Sequence, residues 1–199
     1  MTPSPTAEIP GLVGQGFAYE QLSNDGITAT ISGFRAGSFV SYVVDRVARQ
    51  VLVAPEDIGA ASLPNGLSED GRFLVVSRSF GNPQFELAVV DIGSRRAATF
   101  LLRPDLQPFE SFTGEGIFLV WDIAPVPGGN SQQIYVSSNP FYADAMPQRL
   151  ADLASASATT AVSDDARFVV FDSALAGLDP AVVDNNSACD VFLRDRDNG

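Results

Sequence analysis

The sequence predicts an all-β protein built from four similar units, and three observations lead to that prediction. First, 13 proline and 17 glycine residues among 199 favour many turns over long helices. Second, the apolar stretches are short and rich in β-branched and aromatic residues, which is typical of strands. Third, one turn motif returns every 45 to 50 residues. With 45% hydrophobic residues, the chain can bury a substantial core.

The turn motif is defined by four columns that agree in all four units. Its last residue, which we call the anchor, is Gly26, Gly71, Gly116 or Ala166 in units 1 to 4. An acid precedes each anchor by one position, a hydroxyl by three and an apolar residue by four. In unit order these residues are Leu22, Ser23 and Asp25; Leu67, Ser68 and Asp70; Phe112, Thr113 and Glu115; and Val162, Ser163 and Asp165.

The columns have a physical explanation. Hydroxyl and carboxylate oxygens accept backbone N–H bonds inside a tight turn, and glycine supplies a positive φ without steric cost. Ala166 replaces glycine in unit 4, so we expect that turn to be strained or of a different type. Because one acid recurs in every unit, we interpret these acids as turn-forming residues rather than as a pair of catalytic carboxylates.

Short apolar runs follow each turn, and further strands complete each unit. A second run lies about 15 to 25 residues after the first and often ends in aspartate, and weaker strands precede the turns. In chain order, the predicted strands are 17–22, 27–31, 41–45 and 50–53; 73–76, 87–91 and 98–102; 108–112, 117–121, 134–138 and 148–153; and 168–171 and 191–195. We therefore expect about four short antiparallel strands per unit.

Four strands in about 45 residues is the period of a β-propeller blade. The runs are apolar at nearly every position, which indicates sheets covered on both faces. A β-sandwich of regular hairpins is the alternative, but the long period favours the propeller. We predict a flexible lead-in over 1–15 and β-propeller-type repeats over 16–199, with units at 16–53, 60–102, 107–153 and 159–199. The last unit stops without an outer strand, so we expect about four four-stranded blades of an incomplete propeller.

Residues 163–199 resemble a TolB-type, WD-like propeller repeat. That repeat reads Ser-x-Asp-Gly-Arg-Phe/Tyr-Val-x-Phe-x-Ser, then an Asp-x-Asn loop, then Asp-Val-Phe-Val-Arg-Asp. The matching positions are Ser163, Asp165, Arg167, Phe168, Val169, Phe171, Ser173, Asp184, Asn186, Asp190, Val191, Phe192, Arg194, Asp195 and Gly199. Residues 68–79 match the first half again. The resemblance implies a propeller scaffold, periplasmic or secreted in bacteria, and no single activity.

Composition excludes several classes of function. The chain has neither histidine nor lysine, which removes Ser-His-Asp catalysis, histidine-ligated zinc and Schiff-base chemistry. Its single cysteine, Cys189, cannot form an internal disulfide. A net charge of −12 makes nucleic acid a poor partner. No apolar run reaches the ~20 residues of a membrane span, and residues 1–15 lack the pattern of a signal peptide.

The loop over 178–190 is the one candidate metal site. Asp179, Asp184, Asn186 and Asp190 offer clustered oxygen ligands of the kind that Ca²⁺ takes. The alternative is an Asx-rich turn with solvated acids, because the loop lacks the central glycine and terminal glutamate of an EF-hand. Both interpretations stay open on the sequence, and no cofactor other than this Ca²⁺ is expected.

Function is predicted only coarsely. We expect a non-enzymatic scaffold that presents loops to a protein or small-ligand partner. The alternatives are a Ca²⁺-binding secreted or surface module, and the gating propeller of a larger hydrolase.

Overall fold

The structure is a computed structural model, and it describes residues 9, 12, 18–35, 38–58, 62–79, 85–103, 110–114, 116–123, 132–143, 148–153, 160–173 and 188–198. Within these ranges the fold is β-sheet apart from one helical turn. Among the same residues, no helix has the length and apolar character needed to cross a membrane.

The described residues form fifteen strands, which fall into the four units expected from the repeat. Unit 1 contains β1 (Ala18–Leu22), β2 (Thr28–Arg35), β3 (Ser38–Asp45) and β4 (Gln50–Val53). Unit 2 contains β5 (Ser62–Leu67), β6 (Phe73–Ser79), β7 (Phe85–Asp91) and β8 (Arg96–Arg103). Unit 3 contains β9 (Glu110–Phe112), β10 (Phe118–Ile123), β11 (Gln132–Ser138) and β12 (Gln148–Leu153). Unit 4 contains β13 (Thr160–Val162), β14 (Phe168–Ser173) and β15 (Asp190–Asp195).

Each unit is a separate antiparallel sheet in which neighbours in sequence are neighbours in space. Units 1 to 3 have four strands, and unit 4 has three among the described residues. The first strands of successive units touch, β1 against β5 and β5 against β9, as expected for blades that pack face to face around an axis. The predicted meander of short strands is therefore confirmed, and the Greek-key connections of a sandwich are not seen among these strands.

One element was not predicted: a single helical turn, α1 (Pro55–Ile58), follows β4. Its carboxylate Asp57 accepts the backbone N–H of Ala54 at 2.9 Å, which caps the turn. Proline suits the first helical position because its missing N–H is not needed there. Ile58 is buried in the core between units 1 and 2, so the helical turn contributes an apolar side chain to that core.

The sheet of unit 2 is covered on both faces. Leu74 and Val90 lie on one face and pack with Val43 and Ile58 against unit 1. The opposite face, which includes Val75, packs against aromatic residues of unit 3, namely Phe112, Tyr135 and Phe141. Alternate residues of one strand thus enter two different cores, which explains why the run is apolar at every position.

The outer face of unit 1 is covered by the segment that precedes it. Ile9 and Leu12 are buried against Ile31, Tyr42 and Val44. These two residues belong to the stretch expected to be a flexible lead-in, and both pack into a core. They occupy the face of the sheet that corresponds to the Leu74 face of unit 2.

The face of unit 4 that corresponds to the Val75 face of unit 2 is open to solvent. Val170 on β14 stands at the position of Val75 and is 37% exposed, whereas Val75 is fully buried. Val191 and Leu193 on β15 are 77% and 66% exposed. The sheets therefore stack in series, and the last sheet leaves one apolar face without a neighbour among the described residues.

Equivalent valines on two units provide a matched test of this stacking. We expect Val75→Ala to lower the free energy of unfolding by about 2 kcal/mol, because it leaves a cavity between units 2 and 3. Val170→Ala should cost about 0.5 kcal/mol or less, because its side chain is half solvated. Urea unfolding followed by circular dichroism measures both values. Equal losses in the two variants would contradict the stacked arrangement.

Candidate functional site

We call the four repeated turns together the turn row, and those of units 1, 2 and 4 share one set of side-chain hydrogen bonds. In unit 1 the hydroxyl of Ser23 donates to Asp25 Oδ1 at 2.6 Å and accepts the N–H of Thr28 at 2.9 Å. The same Asp25 oxygen accepts the N–H of Ile27 at 2.9 Å. Units 2 and 4 repeat all three bonds with the same atoms, within 0.1 Å, through Ser68 and Asp70 and through Ser163 and Asp165.

The anchors all adopt the left-handed backbone conformation. Gly26 and Gly71 have φ of 69°, Gly116 has φ of 76°, and Ala166 has φ of 55°. Each anchor donates its N–H to the carbonyl of the hydroxyl residue three positions earlier. Unit 4 therefore keeps the same turn type at the cost of a strained alanine, which is one of the two outcomes that the sequence allowed.

Neighbouring turns are joined by backbone hydrogen bonds two residues before the anchor. Asn24 N–H donates to the carbonyl of Glu69 at 2.8 Å, and Glu69 N–H donates to the carbonyl of Gly114 at 2.8 Å. The side-chain amide of Asn24 also donates to the Glu69 carboxylate at 2.7 Å. A Cβ on Gly114 would lie 2.5 Å from an Asp164 carboxylate oxygen, so Asp164 covers this backbone. These contacts link all four units in chain order.

Two of the anchor glycines are in close contact with the preceding unit. A Cβ at Gly71 would lie 2.7 Å from Thr28 Oγ1 and 3.1 Å from Ser23 Cβ. At Gly116 it would lie 2.9 Å from Ser68 Cβ. Glycine is needed here for close approach as well as for its φ. In the first unit, a Cβ at Gly26 would have Arg46 Nη1, at 3.9 Å, as its nearest neighbour among the described residues.

A second set of contacts, not found by sequence reasoning, supports the anchors from the next hairpin. The anchor carbonyl accepts a side-chain N–H from Arg46 in unit 1 at 3.1 Å, from Asn139 in unit 3 at 2.7 Å and from Arg196 in unit 4 at 2.8 Å. Each donor is the first residue after the third strand of its unit. The sequence contains part of this pattern, because in units 1 and 4 the third strand ends in aspartate and an arginine follows directly.

Arginines beside two anchors tie the turns to the ends of third strands. Arg167 donates twice to Asp195, at 3.0 and 2.8 Å, and Arg72 donates to Asp91 at 3.3 Å. The Arg167 guanidinium, by hydrogen bond and charge, holds the pKa of Asp195 far below its usual range. Arg72 also donates to the Tyr142 hydroxyl at 3.2 Å and so bridges units 2 and 3. Such exposed pairs orient the loops but add little stability.

The carboxylates of Asp25 and Asp165 are held in the ionised form. The Ser23 hydroxyl and then the Ile27 N–H lower the pKa of Asp25, and Ser163 with the Arg167 N–H lowers the pKa of Asp165. A carboxylate held ionised by several donors is a poor proton donor. The side-chain hydrogen bonds that Asp25 and Asp165 make lie within their own turns. Glu115, the acid of unit 3, lies outside the described residues.

Most of the predicted Ca²⁺ loop also lies outside the described residues. Asp179, Asp184 and Asn186 belong to that part, and Asp190 is described as the first residue of β15, paired with Ser173. Among described residues, no group of three or more acids or cysteines is arranged to hold a metal ion. The Ca²⁺ site therefore stays a prediction.

Comparisons with known proteins identify the architecture. No family model and no curated protein matches the chain. It is similar in structure to TolB from Acinetobacter baumannii, with a TM-score of 0.58 and 15% identity, covering 93% of this chain and 42% of that one. It is also similar to a putative TolB from Agrobacterium tumefaciens, with a TM-score of 0.56 and 18% identity, covering 89% and 61%.

A third similar structure is the β-propeller domain of the trilobed protease from Pyrococcus furiosus, with a TM-score of 0.58 and 8% identity, covering 90% of this chain and 55% of that one. The chain thus spans between 42% and 61% of the length of these three proteins. At these identities the likeness establishes the fold. The prediction of a TolB-like β-propeller architecture, incomplete relative to whole propellers, is confirmed.

Alanine substitutions at Gly26 and Gly71, two anchors with the same φ of 69°, distinguish the cost of backbone strain from the cost of disturbed packing between units. We expect Gly26→Ala to cost about 1–2 kcal/mol of strain, reduced slightly by the stiffer unfolded chain. Gly71→Ala should cost about 1–3 kcal/mol more, because the new Cβ overlaps Thr28 and Ser23. Urea unfolding midpoints measure the two losses, provided that the m-values of the variants equal that of the parent. Equal costs would show that the turns do not interlock.

Acid sensitivity tests the turn carboxylates. Because folding lowers the pKa of Asp25 and Asp165, their stabilising effect is complete above about pH 4 and is lost as the pH falls through their folded-state values. We expect the double variant Asp25→Asn with Asp165→Asn to lose less stability than the parent between pH 6 and pH 3. Glu56→Gln, at an exposed acid outside the turns, is the control, and its free energy of unfolding should fall with pH as steeply as the parent's. Urea midpoints measure stability at each pH. The same loss between pH 6 and pH 3 in all three proteins would contradict a stabilising role of the turn carboxylates.

Proposed function

We propose that this protein is a non-enzymatic binding module of the TolB-like propeller type, which presents its turn row and adjoining loops to a protein partner. The observation that carries the proposal is the chain of contacts Asn24–Glu69–Gly114–Asp164. It holds exposed polar side chains of units 1, 2 and 4 in one series through the backbone of unit 3, and preorganised groups lose little entropy on binding. The resemblance to TolB-type repeats leads us to propose a location outside the cytoplasm.

The chemistry of this surface favours a partner with basic or hydrogen-bond-donor groups. Asn24, Glu69 and Asp164 are exposed, and so are the neighbouring turn acids Asp25, Asp70 and Asp165. The net charge of −12 extends the negative field beyond the row. A negative field raises the encounter rate with cationic partners and disfavours anionic ones.

The engagement of the described turn acids supports a binding role over an enzymatic one. In the described turns each acid is engaged by a hydroxyl and a backbone N–H. The sequence supplies no histidine and no lysine for acid–base or covalent catalysis.

A second candidate is the gating propeller of a larger hydrolase. The likeness to the propeller domain of a protease supports this candidate. A hydrolase domain encoded in the same reading frame would favour it over a free-standing binding module.

Selection from a random peptide display library on the immobilised protein tests the proposal. We expect enrichment of basic peptides, and we expect Glu69→Arg and Asp164→Arg each to reduce their retention at least about tenfold. Glu56→Arg makes the same charge change on α1, away from the row, and should reduce retention less than about twofold. All variants are first checked for the parent's melting temperature. Absence of enrichment over bare support, or equal effects of the Glu69 and Glu56 variants, would reject the turn row as the binding surface.

A further inference from the structure

The turn after the third strand of unit 3 departs from the repeat. Four positions after the end of that strand, units 1 and 2 carry an arginine in the left-handed conformation, Arg49 with φ of 56° and Arg95 with φ of 55°. The same position in unit 3 is Tyr142. Because β11 ends opposite the start of β10, where Ser138 pairs with Phe118, this aromatic residue lies at the end of the sheet that carries the turn row.

A buried asparagine fixes the backbone that carries Tyr142. Asn139 is fully buried, and its side-chain carbonyl accepts the N–H of Phe141 at 3.0 Å. Its backbone carbonyl accepts the N–H of Tyr142 at 2.9 Å and that of Ala143 at 3.2 Å. The Asn139 amide also donates to the Gly116 carbonyl, which ties the whole turn to the anchor of unit 3. Tyr142 therefore extends from a backbone whose position is set by hydrogen bonds.

Unit 2 orients the ring of Tyr142, and the residue is still half exposed. The ring meets the buried ring of Phe73 edge to face, with centroids 5.3 Å apart and planes at 73°. The Arg72 guanidinium, which donates to the Tyr142 hydroxyl, lies 5.6 Å from the ring centroid. Even so, Tyr142 is 49% exposed. A tyrosine held in one orientation loses little entropy when a partner covers it, and tyrosine is enriched among the residues that dominate binding energy.

The surroundings of Tyr142 on the side of unit 2 are acidic. Asp70 accepts the backbone N–H of Arg72 at 3.0 Å, and Asp91 accepts its guanidinium at 3.3 Å. Asp70 and its neighbour Glu69 are exposed. The three carboxylates outnumber the single guanidinium, so this part of the surface favours a cationic group on the partner.

An aliphatic side chain lies on the other side, in unit 3. Ile117 is 40% exposed, and its carbonyl accepts the N–H of Asn139 at 2.8 Å, which places it beside the turn that carries Tyr142. The surface therefore combines apolar groups with acids at their edge. Such a combination fits a protein segment in which an apolar side chain and a basic one are close together.

We propose that Tyr142 is the apolar anchor of the partner-binding surface. The partner segment packs an aromatic or large aliphatic side chain against Tyr142 and Ile117, and an arginine or lysine of the same segment meets Asp70 and Glu69. This inference rests on the binding role proposed for the turn row, and it names a feature of the partner that charge alone does not specify.

Selection from a random peptide display library on the immobilised full-length parent, Tyr142→Ala and Phe34→Ala tests the anchor. On the parent we expect basic residues to be enriched together with an aromatic or large aliphatic residue, within a short extended stretch of about four residues. On Tyr142→Ala the basic residues should stay enriched, whereas enrichment of the apolar residue should fall at least about threefold. Phe34, 68% exposed at the end of β2 away from the turn row, is the matched control, and Phe34→Ala should select the same peptides as the parent.

A double-mutant cycle distinguishes direct contact from an effect through the fold. The most enriched peptide and a version with its apolar residue replaced by alanine are titrated against each protein by fluorescence anisotropy, after each variant has been checked for the parent's melting temperature. Tyr142→Ala should weaken the first peptide at least about tenfold and the alanine peptide less than about twofold. Tyr142→Phe, which keeps the ring and removes the hydroxyl, should recover most of the lost affinity.

The outcomes separate this inference from the proposal on which it rests. Absence of basic enrichment on the parent overturns both. Basic enrichment without an apolar residue overturns the anchor and leaves the turn row as an electrostatic surface, as does apolar enrichment that persists on Tyr142→Ala. Equal weakening of both peptides by Tyr142→Ala also overturns the anchor, because Tyr142 then acts through the fold. A loss in Tyr142→Phe as large as that in Tyr142→Ala overturns it in favour of the hydroxyl bond with Arg72.

Discussion

The structure depends on one constraint, the close packing of a left-handed turn in each unit against the turn before it. Gly71 and Gly116 lie where a methyl group would overlap the preceding unit, and Asn24 and Glu69 bond across the same gap. In units 1, 2 and 4 the serine and aspartate of the turn accept the N–H groups that such a sharp reversal leaves without strand partners. The contacts between neighbouring turns therefore fix the distance between successive sheets.

The apolar cores between the sheets depend on the same spacing that the turns fix. With its two neighbours held at a fixed distance, the sheet of unit 2 has side chains of alternate residues buried on both faces. The first sheet is covered on its outer face by Ile9 and Leu12 instead of by another sheet. The last sheet keeps Val170, Val191 and Leu193 in solvent. Among the described residues, the two ends of the stack thus differ in how their outer faces are covered.

Much of this architecture could be predicted from the sequence, because the repeat carries local information. Turn chemistry located all four turns, and the strained anchor Ala166 could be inferred from the one column where glycine is missing. The helical turn α1 was missed because four residues are too few for a periodic signal, although Pro55 and Asp57 are typical of a helix start. Contacts between distant residues, such as Asn139 with the Gly116 carbonyl in the same unit, leave no local pattern. The burial of Ile9 and Leu12 was missed for the same reason.

Native-state hydrogen exchange of two amides tests the interlocked turns most directly. The N–H groups of Asn24 and Glu69 belong to exposed turn residues, yet each donates to a neighbouring unit at 2.8 Å. They should exchange as slowly as the amide of Val75 in the buried sheet, since breaking their bonds requires the units to separate. Exchange as fast as that of Val47, whose N–H bonds only within its own exposed turn, would contradict the account.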